Sequence, residues 1–447
     1  MSSDPFNPLA SSAPLIVYID YKSPYAYLAK DPTYAIADEL GIEIDWRPFT
    51  LDIPSYLGSA RLNQEGKVVE NERTPSQWTK VKYAYHDVRR YASLRGLIAR
   101  GAIKMWDSSL AGIGMLWAKE QGRAVLRAYS DLVYERFWKR ELNLEEAGVI
   151  ERVLDEAGAR TAGFQDYASS GEGRVLHDSI QRKAFDAGIF GVPTYVVDGE
   201  VFFGREHLPR IRWMLTGRSG TPPDIAYRDF SAERAAAGEI IRGQLSVVID
   251  FKSPHAYLAI GPTCALAEEL GITIDWQPLV VTPPKISAAP APGDDRGARH
   301  RRFRADYLER DIARYAADRG LAIGGLRRRK DSTLAAIGLL WAERQGPSLA
   351  RAYVERVFGR YWQDDLDIED ERSIRSLLTE IEATVSGFEA FVKGDGRTRL
   401  ARIQSELWDM GVFDVPTYLL NGDIFLGRQH LPLLRSRLSA RTQLPQT

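Results

Sequence analysis

Two serine–proline pairs stand out as residues that could do chemistry: Ser23-Pro24 and Ser253-Pro254. Each is preceded by a lysine, Lys22 or Lys252, and two residues earlier by an aspartate, Asp20 or Asp250. Serine followed by proline is a strong helix-start signal, with serine as N-cap and proline at the first helical position, where a missing N–H costs nothing. One reading is therefore a plain cap. The other is an anion site. An anion placed there would be favoured by the helix macrodipole and by the hydroxyl as donor, and a neighbouring ammonium could add to both. Asp20 and Asp250 are expected to serve these loops as hydrogen-bond acceptors.

Other reactive groups are sparse. The single cysteine, Cys264, rules out an intramolecular disulfide, a CxxC redox pair and a cysteine-based zinc site, and it lies in neither serine segment. It falls on an apolar helical pattern and reads as buried and inert. The six histidines form no HxxxH pair, so no metal is expected. His255, beside Ser253, could titrate as an acid or base, but the first serine segment has Tyr25 there. Asp87 with Arg90, and Asp311 with Arg314, sit three apart and read as ion pairs on one helix face. Trp46, Trp117, Trp138 and Trp213 fall in apolar-periodic stretches and are expected in the core, or else in the wall of an aromatic pocket.

The elements that must position these residues are written twice. Residues 17–48 and 247–278 agree at 22 of 32 positions, and residues 192–209 and 415–432 at 11 of 18. The segments KYAYHDVRRYASLRGL and DSSLAGIGMLWAKEQG of the first half also have counterparts in the second. This is a tandem duplication, and each copy is long enough to bury its own core. The expected organisation is a first domain over 1–219, a linker over 220–243 and a second domain over 244–447. The segment 286–304 begins as an Ala/Pro loop and continues as an Arg/His-rich run, which reads as the start of a solvated helix.

Within a copy, LIVYIDY (15–21) reads as a buried strand, SPYAYLAKDPTYAIADEL as a helix ending at Gly41, and IEIDWRPF (42–49) as a second strand parallel to the first. From about 74 to 190 the pattern is helical throughout. TYVVDGEVFFG (194–204) reads as a hairpin turning at Asp198-Gly199, followed by a helix. The fold class is α/β: two tandem βαβ–helical insertion–ββα units.

That order is a thioredoxin fold split by a helical domain. The serine segment takes the place of a CxxC, and Val-Pro-Thr before the hairpin (Pro193, Pro416) takes the place of the fold's cis proline. With these features each copy resembles the kappa-class glutathione transferase and 2-hydroxychromene-2-carboxylate isomerase family, within the DsbA-like group. The resemblance implies glutathione as cofactor, with its thiolate hydrogen-bonded by Ser23 and, in the second copy, by Ser253, and with Lys22 as a nearby cation. It implies peptide-binding roles for Asn71, Lys80, Val192, Pro193, Glu206 and His207, with Tyr83 near Lys80. The second copy departs at several of these, with Asp295, Arg304 and Gln429 at the positions of Asn71, Lys80 and Glu206. The expected function is a glutathione-dependent transferase or isomerase acting on a small hydrophobic or aromatic electrophile at the first copy. The alternative is a redox-inactive thioredoxin-fold scaffold.

The formal net charge is 59 − 60 = −1, which argues against bulk attraction to nucleic acid or acidic lipid. Neither a signal peptide nor an apolar run long enough for a membrane span is read, so a cytoplasmic protein is expected. The fused copies are expected to form an intramolecular pseudo-dimer, leaving the chain a monomer.

Overall fold

The computed structural model describes residues 6–63, 67–169, 171–228, 244–282, 295–326 and 330–439. Most of the expected linker and the Ala/Pro run 286–294 lie outside them. The chain forms two compact units. The first holds the residues up to Asp224 and, from the second copy's sequence, residues 295–305; the second holds 244–282 and 306–439 with Ile225–Tyr227. The expected division at 220–243 makes no provision for residues 295–305 in the first unit.

The first unit opens with β1 (Leu15–Ile19), α1 (Pro24–Leu40) and β2 (Ile44–Pro48). A short helix α2 (Pro54–Leu57) and a hairpin, β3 (Ala60–Leu62) and β4 (Val68–Asn71), follow. The helical insertion is α3 (Pro75–Leu94), α4 (Ser109–Lys119), α5 (Arg123–Trp138), α6 (Ala147–Glu156), α7 (Phe164–Ser169) and α8 (Glu172–Asp186). The unit closes with β5 (Thr194–Val197), β6 (Glu200–Phe203) and α9 (Leu208–Leu215). The main sheet runs β2-β1-β5-β6, with β1 and β2 parallel and the other pairs antiparallel. β1 is buried at all five positions, as a continuous apolar run in an inner strand requires. Pro48 ends β2 on the sheet edge, where a lost donor is tolerated.

Among its described residues the second unit repeats this order apart from α2 and the β3–β4 hairpin. β7 (Leu245–Ile249), α10 (Pro254–Leu270) and β8 (Ile274–Pro278) are followed by α11 (Arg296–Ala317), whose first ten residues count with the first unit. Then come α12 (Thr333–Glu343), α13 (Pro347–Trp362), α14 (Glu371–Glu380), α15 (Phe388–Lys393) and α16 (Asp395–Met410). β9 (Thr417–Leu420), β10 (Asp423–Leu426) and α17 (Leu431–Ser439) complete it, in a sheet ordered β10-β9-β7-β8. Two tandem thioredoxin-like folds with helical insertions are thus present.

Local sequence explains the parts that place the serines. Ser23 is extended at φ −85°, ψ 116°, and its Oγ accepts the Ala26 N–H; Ser253 does the same for Ala256. Gly41 and Gly271 end the two helices in the left-handed region. Pro32 lies inside α1 and cannot satisfy the Leu28 carbonyl; the Arg95 guanidinium does so instead, at 2.7 Å. In the second unit Arg319 donates in the same way to the Leu258 carbonyl, four residues before Pro262. A stack of Tyr27 on Tyr134 (5.5 Å) and Trp138 (6.1 Å) packs α1 on α5, and Tyr257 repeats it with Phe358 and Trp362.

The structure corrects several expectations. The stretch 74–190 is broken by a loop over 95–108, and α2 with the β3–β4 hairpin was not expected. Trp46 and Trp138 are buried, but Trp117 and Trp213 are only half-buried, their indole N–H groups donating to the carbonyls of Arg160 and Ser219. The basic run at the start of α11 is solvated on one side only, with Arg301 and Arg304 exposed. His300 is 8% exposed, stacks flat on Tyr56 at 4.1 Å and meets Phe190 edge-on, while Arg296 lies over the Phe185 ring. Aromatic faces of the first unit take up these cationic and imidazole groups, an attraction that outweighs solvation. Cys264 is buried and its thiol is pushed up to about 12 by that burial, then by Glu355.

Candidate functional site

The site starts at the turn between β1 and α1. Ser23 is 4% exposed; its N–H donates to the Asp20 carbonyl at 2.9 Å, and its hydroxyl reaches the Val192 carbonyl at 3.5 Å. The Val192–Pro193 bond is cis, as is Val415–Pro416. Ser23, Val192 and Pro193 are therefore brought together at the head of α1. Asp20 anchors this turn, with Oδ1 accepting the Lys22 N–H (3.1 Å) and the Ser108 hydroxyl (2.5 Å), and Oδ2 accepting the Leu51 N–H (2.8 Å). The aspartate is a structural acceptor that ties the serine turn to the start of α4 and the end of β2.

Lys22 extends from this turn. Its ammonium donates to the Trp106 carbonyl at 3.1 Å and stands 3.7 Å from Asp20. In the second unit Lys252 closes instead on Asp250 (2.6 Å) and Ser332 (2.9 Å).

Tyr25, the second residue of α1, feels a further set of charges. Its half-buried phenol is raised well above its usual value, first by burial and then by the charges of Asp87, Tyr83 and Glu206, which Arg205 opposes. Asp87 is buried and paired with Arg90 at 2.9 Å; burial nevertheless pushes its carboxyl up to about 6. Arg205 lies 4.4 Å over the Tyr91 ring. The Asp87–Arg90 pair expected on α3 thus forms, and it does so in the electrostatic neighbourhood of Tyr25 and Glu206. His207 is buried with its ring against Phe202. Asn71 and Lys80 are exposed. The Asn71 carbonyl oxygen is taken up in its own turn by the Arg73 N–H and the Trp78 indole, both at 2.9 Å.

Beside Lys22 a cavity of about 450 Å³ opens, lined by Thr50, Trp106, Ser109, His177 and Arg296 among others. Gln181 holds its floor, accepting the Thr50 N–H and donating to the Thr50 carbonyl, both at 2.8 Å. His177 is 2% exposed, with Nε2 3.1 Å from the Thr50 hydroxyl and Nδ1 3.2 Å from Asp178. Burial holds this imidazole below its ordinary value, with Asp178 acting in the opposite direction. These residues escaped the sequence reading because a lone histidine carries no spacing signal. One signal was available, however: aligning the two copies puts Val280 opposite Thr50 and Leu400 opposite His177. Among the described residues no group of three or more His, Cys, Asp or Glu could hold a metal, and no helix is long and apolar enough to cross a membrane.

With the fold and the serine turn placed, a family model matches both copies of the chain. The chain belongs to the DSBA-like thioredoxin domain family, which matches residues 14–215 and 244–439. It is similar to the 2-hydroxychromene-2-carboxylate isomerase of Sphingobium xenophagum, 24% identical over 198 residues that make up 43% of this chain and 92% of that protein. The Pseudomonas putida protein of the same name is 24% identical over 193 residues, 43% of this chain and 88% of its own length. Among solved structures, the cytosolic disulfide reductase DsbM from Pseudomonas aeruginosa, solved with GSH, aligns with a TM-score of 0.33 at 16% identity, covering 45% of this chain and 100% of its own.

Proposed function

We propose that the chain is a glutathione-dependent isomerase or transferase whose working site lies in the first unit. The observation that carries this reading is the Ser23 hydroxyl, set at the N-terminus of α1 and facing the carbonyl before a cis proline. A thiol of ordinary pKa, ~8.5, is mostly protonated at neutral pH. At this helix start the macrodipole and the serine O–H favour the anion, and the anion is the nucleophile. Lys22, near the Asp20 turn, adds a positive field. Val192 and Pro193 would meet the cysteinyl backbone, Glu206 the γ-glutamyl ammonium, and Asn71, Lys80 and His207 complete the proposed peptide-binding set. The names of the two bacterial relatives support 2-hydroxychromene-2-carboxylate, or an electrophile of that size and chemistry, as the substrate. In the isomerase case the thiolate adds, a bond rotates and the thiolate leaves, so glutathione is regenerated.

Ser253 is proposed to act as a cap rather than a catalyst. Lys252 is engaged in a short ion pair with Asp250, and Gln429 replaces the acid at Glu206. The protein is further proposed to be a monomer, to be checked by light scattering against 50.2 kDa. The function is tested by glutathione calorimetry on the full chain and on Ser23→Ala, with turnover of 2-hydroxychromene-2-carboxylate alongside. Binding that Ser23→Ala weakens is the expected result. A chain that does not bind glutathione sinks the reading.

A further inference from the structure

Four residues around the Lys22 cavity differ between the copies as a set. Thr50, Gly112, His177 and Asp178 correspond to Val280, Ala336, Leu400 and Ala401. The frame around them is kept. Gln404 accepts the Val280 N–H at 2.9 Å as Gln181 accepts that of Thr50. In the second unit Leu400 and Ala336 belong to the buried apolar core, and Val280 packs against it. In the first unit the same places hold a hydrogen-bonded chain. Gly112 is part of it sterically: a Cβ there would stand 3.2 Å from His177 Nε2 and 3.0 Å from Pro48 Cβ. The glycine makes room for the ring.

The direction of the chain follows from donor chemistry. The Asp178 carboxylate can only accept, so Nδ1 carries the proton. Nε2 is then a lone pair, and it accepts the Thr50 O–H. The oxygen of Thr50 keeps its own lone pairs for a group in the cavity it lines. A buried imidazole coupled through a hydroxyl to an open cavity is an arrangement that can move a proton.

We propose that Thr50, His177 and Asp178 form a proton relay serving an oxygen-bearing substrate held in the Lys22 cavity, with Thr50 as the contacting group and His177 and Asp178 as positioning residues behind it. Thr50 takes a proton from a substrate hydroxyl as its own proton passes to Nε2. The imidazolium so formed is stabilised by Asp178. The proton returns by the same route when the product oxygen needs it, so an isomerisation balances with no further reactant. The inference rests on the glutathione-dependent reading and adds the group that handles the proton while the thiolate handles carbon. The charged groups facing His177 are Asp178 and Arg174 from α8 and Asp107 from the loop before α4, with Lys22, Asp52 and Arg296 around the cavity. From α4, Gly112 comes up against the ring, and the segment after β2 supplies Thr50; neither is charged.

The second copy supplies replacements that this fold accommodates: Thr50→Val and His177→Leu. Each is measured for glutathione affinity by calorimetry, for 2-hydroxychromene-2-carboxylate turnover with glutathione across pH, and for the histidine tautomer by nitrogen-15 NMR on the full chain. The expected result is glutathione affinity within about twofold of the parent and turnover down about a hundredfold, the lower range for a lost acid–base group. The neutral imidazole is the working form, so parent activity falls as pH drops below the ordinary histidine value of ~6.5. His177→Leu loses that limb. NMR is expected to show His177 protonated at Nδ1, with an Nε2 signal that moves in Thr50→Val. Unchanged turnover and pH profile in His177→Leu overturn the relay, and so does an Nε2-protonated ring. A parent protein that does not bind glutathione sinks the glutathione reading alone, and the tautomer then decides the relay.

Discussion

The wall of the first unit's cavity and the matching patch of the second unit have nearly the same backbone and opposite chemistry. Thr50, His177 and Asp178 stand where Val280, Leu400 and Ala401 stand, and the clamping glutamines 181 and 404 are common to both. The serine turns differ less. Both serines cap their helices and both aspartates accept from a neighbouring serine, but the lysines part ways, and Ser253 is half-buried where Ser23 is buried. One copy of a duplicated fold can thus keep the strands, the serine turn and the glutamine clamp around the site and give up the groups that would react. Hydrocarbon fills the place of the hydrogen-bonded chain, which is the cheaper way to occupy a buried volume.

The largest effect should come from separating cap from catalyst. Ser23→Ala and Ser253→Ala each remove one cap, a loss of about 1 kcal/mol, so the two variants should melt alike. Turnover should separate them. Ser23→Ala is expected to lose about 10²–10³ of its glutathione-dependent rate, the cost of one lost donor to a developing or resident anion, while Ser253→Ala keeps the parent rate. Equal losses in the two would mean that both units work, and the asymmetry argued above would disappear.

Exchanging the two walls should break stability on one side only. Leu400→His places an imidazole in a core where Leu400 is 2% exposed and where Val280 and Ala401 offer no side-chain hydrogen bond. A loss of about 2–4 kcal/mol is expected. His177→Leu leaves Thr50 and Asp178 partly exposed to water, so denaturant unfolding should shift by no more than about 1 kcal/mol. The reverse order would show that the histidine is a structural hydrogen bond and nothing more.

How much of this was visible in the sequence depends on which signal a residue leaves. Ser23-Pro24, Gly41 and Asp198-Gly199 announce a cap, a stop and a turn through their own backbone preferences, and each is found in that role. The repeat itself revealed the tandem fold. His177 left no such mark, because its partners Thr50 and Asp178 are 127 residues away and next door respectively, and neither spacing is a motif. Arg296 and His300 were misread for a related reason. Polar side chains on a helix look solvated unless the aromatic faces they meet are known, and Tyr56, Phe185 and Phe190 are distant in sequence. Asn71 was assigned by resemblance alone, and its carbonyl oxygen turned out to serve a turn and an indole.

Gly112 sharpens the comparison at lower amplitude. Alanine favours a helix over glycine by about 1 kcal/mol, but a Cβ here would stand 3.0 Å from Pro48 Cβ, so Gly112→Ala should gain no thermal stability. Its new methyl would crowd Nε2 at 3.2 Å and turn the ring from Thr50. A rate loss of about tenfold is expected from that misplacement. The mirror change, Ala336→Gly, should do the opposite: lower the melting temperature without touching turnover.

The smallest effect concerns the opening turns of α3 and α11, which match in the repeat but not in surroundings. Thr74 and Gln77 form an exposed capping box at the start of α3, whereas the corresponding stretch of α11 buries His300 against Tyr56. Burial, and then Arg304, hold the His300 imidazole down to about 4. A folded value below the unfolded one of ~6.5 means that the unfolded chain binds the proton first as pH falls. The stability this ring contributes is therefore complete above pH ~6.5 and is lost between there and about 4. At pH 6 the loss is already about 0.8 kcal/mol, a shift of about 2–3 °C for a unit of this size. His300→Phe keeps the flat stack on Tyr56 and cannot protonate. Its melting temperature should fall less than that of the parent between pH 8 and pH 6, and a variant that tracks the parent over that range would place His300 in solvent.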